Sequence, residues 1–343
     1  KRLKKLKIEL EKKNNVEMAL SSFKPPIFWK EKDIIKQQLK IWPLFQIKLF
    51  IKQINDLELL IKKNSEISNR IINNFILEKL EINISNRAQA KAYEKSGFCC
   101  LPEDAITSEQ LKIASIAVSQ VRDGYFDTGT PPSSHPGYEA NHLCKINDAH
   151  LASRGLYDLI TKSKIGYRVA EITQSSFVQV WATQLLIKPP GSGTNGHVGW
   201  HQDFQYWQCW EGEDGLFTAW IALSEVDEKS GPMRFVANSH RWGFLNRGDF
   251  FRSEQEELKE NIESVIDEPW IEKVAVLPKG RVSLHHCLTV HGSLANESAK
   301  PRVSLAIHLR NQQATPVPGD KNYYVSNLKD ARYSPIIFNE VQL

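Results

Sequence analysis

The chain has 343 residues, is 41% hydrophobic and 24% charged, and carries a formal net charge of +4. That supports one large domain with an appendage, or two medium ones, with a real core and ordinary solubility. No apolar run reaches the roughly 18 residues of a membrane-spanning helix, and the basic start KRLKKLKIELEKKNN, with no apolar stretch and cleavage site behind it, does not read as a signal peptide. The five cysteines (Cys99, Cys100, Cys144, Cys209, Cys287) are odd in number and contain no CxxC pair. This argues against a disulfide scaffold or zinc ribbon and for a reducing, cytoplasmic setting. The chain begins at Lys1 rather than Met, which reads as a fragment or an incomplete reading frame.

Residues 1–90 hold 19 Lys/Arg against 10 Asp/Glu, a balance of +9, whereas the rest hold 25 against 30, a balance of −5. All 18 glycines lie at or after Gly97. Two different polymers are joined near 85–90, and we divide the chain into a helical segment, 1–88, and a second domain, 89–343. In the first, glycine-free and lysine-rich composition favours helix. Lys4–Lys13 forms one short helix, Pro25-Pro26 and Pro43 interrupt, and Phe45, Leu49, Ile54, Leu57 and Ile61 recur at helical intervals from Leu44 to Lys63. Ile71–Leu80 continues as helix. FKPPIFWKEKDIIKQQLKIW followed by INDLELLIKKN resembles the C-terminal helical region of the bacterial DNA polymerase III delta subunit, over about 60 residues. That resemblance implies a contact with a replication complex, or a segment fused or mis-joined to the second domain. Its lysines read as a solvated face, not a nucleic-acid surface.

From Lys91 the elements change. A helix ends at Gly97, a short strand comes next, and Thr107 with Gln110 has the spacing of a capping box opening a new helix. Residues 122–145 read as a long irregular binding loop, and Leu156–Ile172 as helix. After Gln174 come strands: SSFVQVWATQLLIK, LFTAWIALSEV, MRFVANSH, then VAVL and RVSLHHCLTVHGS on either side of the Pro278-Lys279-Gly280 turn, and RVSLAIHLRNQ. Many strands with Gly/Pro turns behind an early helical flank predict an α+β domain on a sandwich or jelly-roll core.

The chemistry concentrates on that core. In GWHQDFQYW, His201 and Asp203 are two apart and, in a strand, would face one side and could share one metal ion. In RVSLHHCLTVHGS, the parity shared by Ser283, His285, Cys287, Thr289 and His291 points toward a cavity, so either His285 or His291 could be the third ligand. In PRVSLAIHLR, Arg302 and Ser304 alternate against aliphatic residues, and an inward Arg is costly unless it meets an anion such as a carboxylate. Two imidazoles and one carboxylate suit Fe(II), leaving positions for a bidentate oxo-acid and O2.

GWHQD, FTAWIALSEVDEKSGPMRFVANSH and LHHCLTVHGSLANESAKPRVSLAIH together resemble the phytanoyl-CoA dioxygenase family of Fe(II)/2-oxoglutarate oxygenases, over about residues 91–315. The resemblance implies a double-stranded β-helix (cupin-like jelly roll) with flanking helices, the cofactor Fe(II), and the co-substrates 2-oxoglutarate and O2. It also implies hydroxylation of an aliphatic C–H of a small-molecule substrate, with release of succinate and CO2. By it His201, Asp203 and His291 are the metal ligands, Arg302 and Ser304 take the distal carboxylate of 2-oxoglutarate, and Gln184 and Trp220 are further co-substrate contacts. Related halogenases lack the carboxylate; Asp203 is present, so hydroxylation is expected. His197, His240, His285, His286 and His308 read as structural or pocket-lining, and Cys209 and Cys287 as small buried hydrophobes. Residues 122–150 and 242–270 are expected to shape a lid. Two rival readings are a metal-dependent hydrolase or isomerase on a cupin-like barrel using the same ligands, and a non-enzymatic interaction protein working through residues 1–88.

Overall fold

The computed structural model describes residues 2–28, 31–42, 44–191 and 193–340. It divides into two compact units, Lys1–Ile84 with Asn339–Leu343, and Ser85–Phe338. This division lies between Ile84 and Ser85, four residues from the expected 88/89 and inside one continuous helix.

The described elements of the first unit's N-terminal part are helices: α1 (Arg2–Lys13), α2 (Val16–Ser21), α3 (Lys32–Ile41), α4 (Leu44–Lys63) and most of α5 (Ser68–Ser96). Leu6, Leu20, Ile27, Ile35 and Leu39 form its core, and Lys7 Nζ donates to the Leu39 carbonyl at 2.7 Å. The Asn15 side chain caps α2 by accepting from the Met18 amide. The apolar face expected along α4 is only partly buried. Leu44 and Ile47 are inside, Ile54 is exposed, and the side chains of Phe45 and Leu49 lie outside the described ones. The helix expected from Leu44 to Lys63 is present as α4, and the described buried apolar side chains of this unit come from α1–α3, Ile27 and the first turn of α4.

The second unit begins where α5 ends. Gly97, at φ +82°, turns the chain into β1 (Phe98–Cys100), and its amide closes the helix onto the Tyr93 carbonyl at 2.8 Å. α6 (Ser108–Arg122) opens with the expected capping box: the Thr107 hydroxyl accepts from the Gln110 amide, and the Gln110 side chain accepts from the Thr107 amide. Then come β2 (Cys144–Asn147), α7 (Ala149–Ala152), α8 (Arg154–Lys162) and α9 (Ile165–Thr173). β2 lies at the end of the stretch expected to be irregular. The helix expected over Leu156–Ile172 is two, because Ser163 is extended.

The remaining elements are β3 (Phe177–Lys188), β4 (Val198–His201), β5 (Leu216–Ala222), β6 (Met233–Val236), α10 (Gln255–Glu263), β7 (Glu272–Ala275), β8 (Val282–His286), β9 (His291–Ser293), β10 (Arg302–Arg310), α11 (Tyr323–Ser326) and β11 (Ile336–Asn339). One sheet runs β1-β8-β5-β10-β3-β11 with β2 also on β3; the other runs β4-β9-β6-β7. From β3 onward the chain passes back and forth between the sheets, and its neighbours pair antiparallel. This is the double-stranded β-helix, with the early helices flanking it. β3, β5 and β10 are buried along almost their whole length, as strands covered on both faces must be.

RVSLHHCLTVHGS is not one strand. It breaks at Cys287–Val290, leaving β8 in the large sheet and β9 in the small one. The shared parity therefore ends at the break: Ser283 and His285 face inward from β8, and His285 lines the cavity, but Cys287 packs with Trp181 and Trp210, and the Thr289 hydroxyl donates to the Gly97 carbonyl at 2.9 Å. His291 reaches the centre from the opposite sheet.

Candidate metal centre

β4 is short and fully buried, and a loop lies directly on it. The Gly199 amide donates to the Phe250 carbonyl, and the Asp249 amide to the Trp200 carbonyl. A Cβ at Gly199 would stand 2.2 Å from the Asp249 carbonyl oxygen and 2.5 Å from that of Arg252, and one at Gly248 would stand 2.2 Å from the Trp200 carbonyl oxygen. These contacts are with backbone, so neither position tolerates a side chain without moving the loop. The loop carries Phe250 to within 5.2 Å of the His201 ring, centroid to centroid, so the 242–270 segment does contribute to the cavity. Gly199→Ala is expected to cost about 1–3 kcal/mol, read as a lower denaturant midpoint; an unchanged midpoint would show that the loop can yield freely.

The strand expected to carry both His201 and Asp203 ends at His201, and Asp203 opens a 3₁₀ turn, Asp203–Tyr206. The two side chains converge nevertheless, because the turn swings Asp203 back across the strand end. His201 is paired across the sheet with His291. Each Nε2 lies 3.7 Å from Asp203 Oδ1, and one ligand atom from each of the three residues falls within 4.8 Å of the others.

The tautomers follow from the partners. His201 Nδ1 meets the Gly199 carbonyl and His291 Nδ1 the Thr289 carbonyl, both at 2.8 Å. A carbonyl only accepts, so each Nδ1 carries the proton and each Nε2 turns a lone pair inward. Burial, followed by the neighbouring His201, pushes His291 well below the usual imidazole range. Burial opposes ionisation of Asp203, but His291, His201 and His285 together hold its carboxyl well below the usual carboxylate range. Two neutral imidazoles and one carboxylate, each pre-oriented and nearly dry, form a donor set that fits Fe(II).

The carboxylate divides its work. Oδ1 faces His201 and His291, while Oδ2 accepts from the Thr218 hydroxyl at 2.7 Å and from His285 Nε2 at 3.2 Å. His285 thus touches Asp203 rather than joining the three, a role the spacing could not distinguish.

Across the same cavity, Arg302 is buried, donates through NH1 to Ser304 Oγ at 3.1 Å and stacks over Trp220 at 5.2 Å. Its Nε has no partner, and burial alone shifts the guanidinium, with no Asp or Glu among the described residues acting on it. Burial lowers its pKa to about 9, so it remains charged at neutral pH. A buried, charged and unneutralised guanidinium is costly unless an anion arrives. Lys188 stands directly opposite on β3, also buried; its Nζ donates to Ser293 Oγ at 2.7 Å and to the Leu294 carbonyl. Gln184, Trp220, Arg302 and Ser293 line the cavity with the three ligand candidates.

Lys145 was not among the expected site residues. It sits on β2 opposite Leu186, its Nζ 4.5 Å from the Phe250 centroid, with its pKa lowered by burial and the charge of Asp203 acting against that shift. The available signal was the alternation in CKIN, where Cys144 and Ile146 are buried and Lys145 and Asn147 take the other face.

Residues 93–304 match the family model Phytanoyl-CoA dioxygenase (PhyH). The chain belongs to the phytanoyl-CoA dioxygenase family. It is an Fe(II)- and 2-oxoglutarate-dependent dioxygenase that uses O2. A probable alpha-ketoglutarate-dependent hypophosphite dioxygenase of Stutzerimonas stutzeri is 25% identical over 223 residues, 63% of this chain and 72% of that protein. The ectoine dioxygenase of Halomonas elongata is 25% identical over 231 residues, 63% of this chain and 67% of that one. The crystal structure of the non-heme alpha ketoglutarate dependent carbocyclase SnoK from nogalamycin biosynthesis shares the fold, with TM-score 0.55 and 21% identity over 70% of this chain and 90% of that chain. In this phytanoyl-CoA dioxygenase family member, no described helix is long and apolar enough to cross a membrane.

Proposed function

We propose that His201, Asp203 and His291 hold the ferrous ion, that Arg302 with Ser304 receives the distal carboxylate of 2-oxoglutarate, and that the enzyme hydroxylates an aliphatic C–H of a small molecule. The observation that carries this reading is the pairing of a neutral-His/carboxylate cluster with a buried, unneutralised Arg302 in one cavity. When bound, the iron supplies oxidative decarboxylation: 2-oxoglutarate and O2 become succinate and CO2, one oxygen atom entering succinate and the other the substrate hydroxyl. The chain's own residues do the rest. Thr218 and His285 orient Asp203, the Gly199 and Thr289 carbonyls orient the two imidazoles, Trp220 stacks on Arg302, and Phe250 limits water. Gln184 and Trp220 are further contacts for the co-substrate. A cupin-type hydrolase or isomerase would leave Arg302 without a task. Purified protein with Fe(II) is expected to convert 2-oxoglutarate to succinate slowly by itself and faster with its substrate. No succinate under either condition would sink the reading.

Residues 1–88 we infer to be a segment dispensable for this chemistry, and their resemblance to the delta subunit supports a contact with replication proteins. A chain lacking residues 1–84 is expected to keep a cooperative melt and at least half of the uncoupled succinate formation; an aggregated or inactive product would make the segment part of the enzyme. The five free cysteines favour a reducing, cytoplasmic setting.

A further inference from the structure

His308 lies on β10, four residues beyond Ser304 and on the same face, and lines the same cavity as His201, Asp203 and His291. It is 4% exposed, with Trp207 4.9 Å and Trp181 5.5 Å away between ring centroids. Its Nδ1 stands 2.9 Å from Thr218 Oγ1, and its Nε2 is buried with no protein partner.

The proton positions along this line are determined by its first member. The Thr218 hydroxyl donates its single proton to Asp203 Oδ2 at 2.7 Å. Thr218 Oγ1 therefore has only lone pairs left for His308, and His308 Nδ1 must carry the proton. The reverse tautomer would leave two lone pairs facing each other across 2.9 Å. Burial pushes His308 down to about 4, so the ring is neutral. Nε2 is then a bare, buried acceptor.

Resting on the assignment of this cavity as the oxidation site, we propose that His308 Nε2 recognises a hydrogen-bond donor, a hydroxyl or an amine or amide N–H, on the primary substrate. Neither co-substrate can be that donor. Ionised 2-oxoglutarate and O2 offer only lone pairs, and the cationic side of the cavity, Arg302, is at the other end of β10. A buried acceptor discriminates against a substrate that cannot satisfy it, because the mismatch leaves a desolvated polar atom unpaired.

The test uses the full chain loaded with Fe(II) and 2-oxoglutarate. The probes are small hydroxy, amino and amido compounds, each matched with its O- or N-methylated counterpart lacking the donor. Succinate release above the uncoupled background is read for the wild type, His308→Asn, which keeps a donor near Thr218 but no acceptor at the Nε2 position, and His308→Gln, whose amide oxygen reaches that position. Anaerobic calorimetry gives the dissociation constants for Fe(II) and 2-oxoglutarate. The expected result is that wild type prefers donor-bearing probes over methylated partners by about tenfold, that His308→Asn loses the preference and that His308→Gln regains part of it. Both dissociation constants should stay within about twofold. Three results would overturn the proposal: no donor preference in the wild type, an undiminished preference in His308→Asn, or equal losses on donor-bearing and methylated probes in both variants. Failure of wild-type protein to bind Fe(II) and 2-oxoglutarate at all would instead remove the assignment of the cavity.

Discussion

His291→Ala is expected to lower metal-dependent turnover by roughly a thousandfold or more, whereas His285→Ala should weaken Fe(II) affinity by only about 10–100-fold. The two histidines are six residues apart, and both reach Asp203. They differ in the oxygen they meet. His291 Nε2 lies 3.7 Å from Oδ1, on the side shared with His201, while His285 Nε2 donates to Oδ2 at 3.2 Å. Removing His291 deletes a lone pair from the donor set, which nothing nearby replaces. Removing His285 leaves all three proposed ligand atoms and loses one of the two hydrogen bonds to the carboxylate, the Thr218 bond remaining. Calorimetric titration with Fe(II) under anaerobic conditions, beside succinate formation, separates the two. Equal losses in the two variants would mean that His285 is itself a ligand, or that the site is assembled differently from the assignment above.

Arg302→Met is expected to act on stability and on function in opposite directions. The guanidinium is buried with only Ser304 and the Trp220 ring beside it, and its Nε is unsatisfied. Lys188, also buried, stands opposite across the strands, and burial together with Arg302 pushes its pKa well below the usual lysine range. Without a bound anion this is an electrostatic burden on the fold, and a methionine of similar reach relieves it. The variant without ligand should therefore melt at the same or a higher temperature than wild type. Its apparent requirement for 2-oxoglutarate should rise by about a hundredfold, the scale of losing one buried, charge-assisted contact. Wild type should also gain roughly 2.7 kcal/mol of stability at a 2-oxoglutarate concentration a hundred times its dissociation constant, a gain that Arg302→Met should lack at that concentration. A variant that melts lower and keeps its 2-oxoglutarate dependence would give Arg302 a purely structural role.

Much of the fold was legible from local chemistry. The capping box at Thr107 and Gln110, the terminating Gly97, and the β-branched and aromatic run of β3 all depend on near neighbours, and each falls where the residues indicated. The alternation in β10 set Arg302 and Ser304 on one face, and they do meet within hydrogen-bonding distance. Misreadings arose where a strand gives way. GWHQD looked like one strand, but β4 ends at His201 and a 3₁₀ turn opens at Asp203. RVSLHHCLTVHGS looked like one strand as well, but it crosses between sheets at Cys287–Val290. Lys145 is not singled out by the sequence because its four-residue strand, paired with β3, sits at the end of a Gly/Pro-rich stretch.

By itself the sequence determined the chemical inventory and the class of architecture: an acidic, glycine-punctuated β domain behind a basic helical segment, holding an HxD pair, later histidines and an arginine facing inward. Those properties follow from composition and from the two-residue period of a strand, which are local. The family resemblance already favoured His291 over His285; only the tertiary structure decided that His285 braces the other oxygen of Asp203 and which nitrogen of His308 is left bare. Those outcomes depend on how two sheets face each other and on where one carboxylate sends each of its oxygens, and neither is encoded in spacing along the chain.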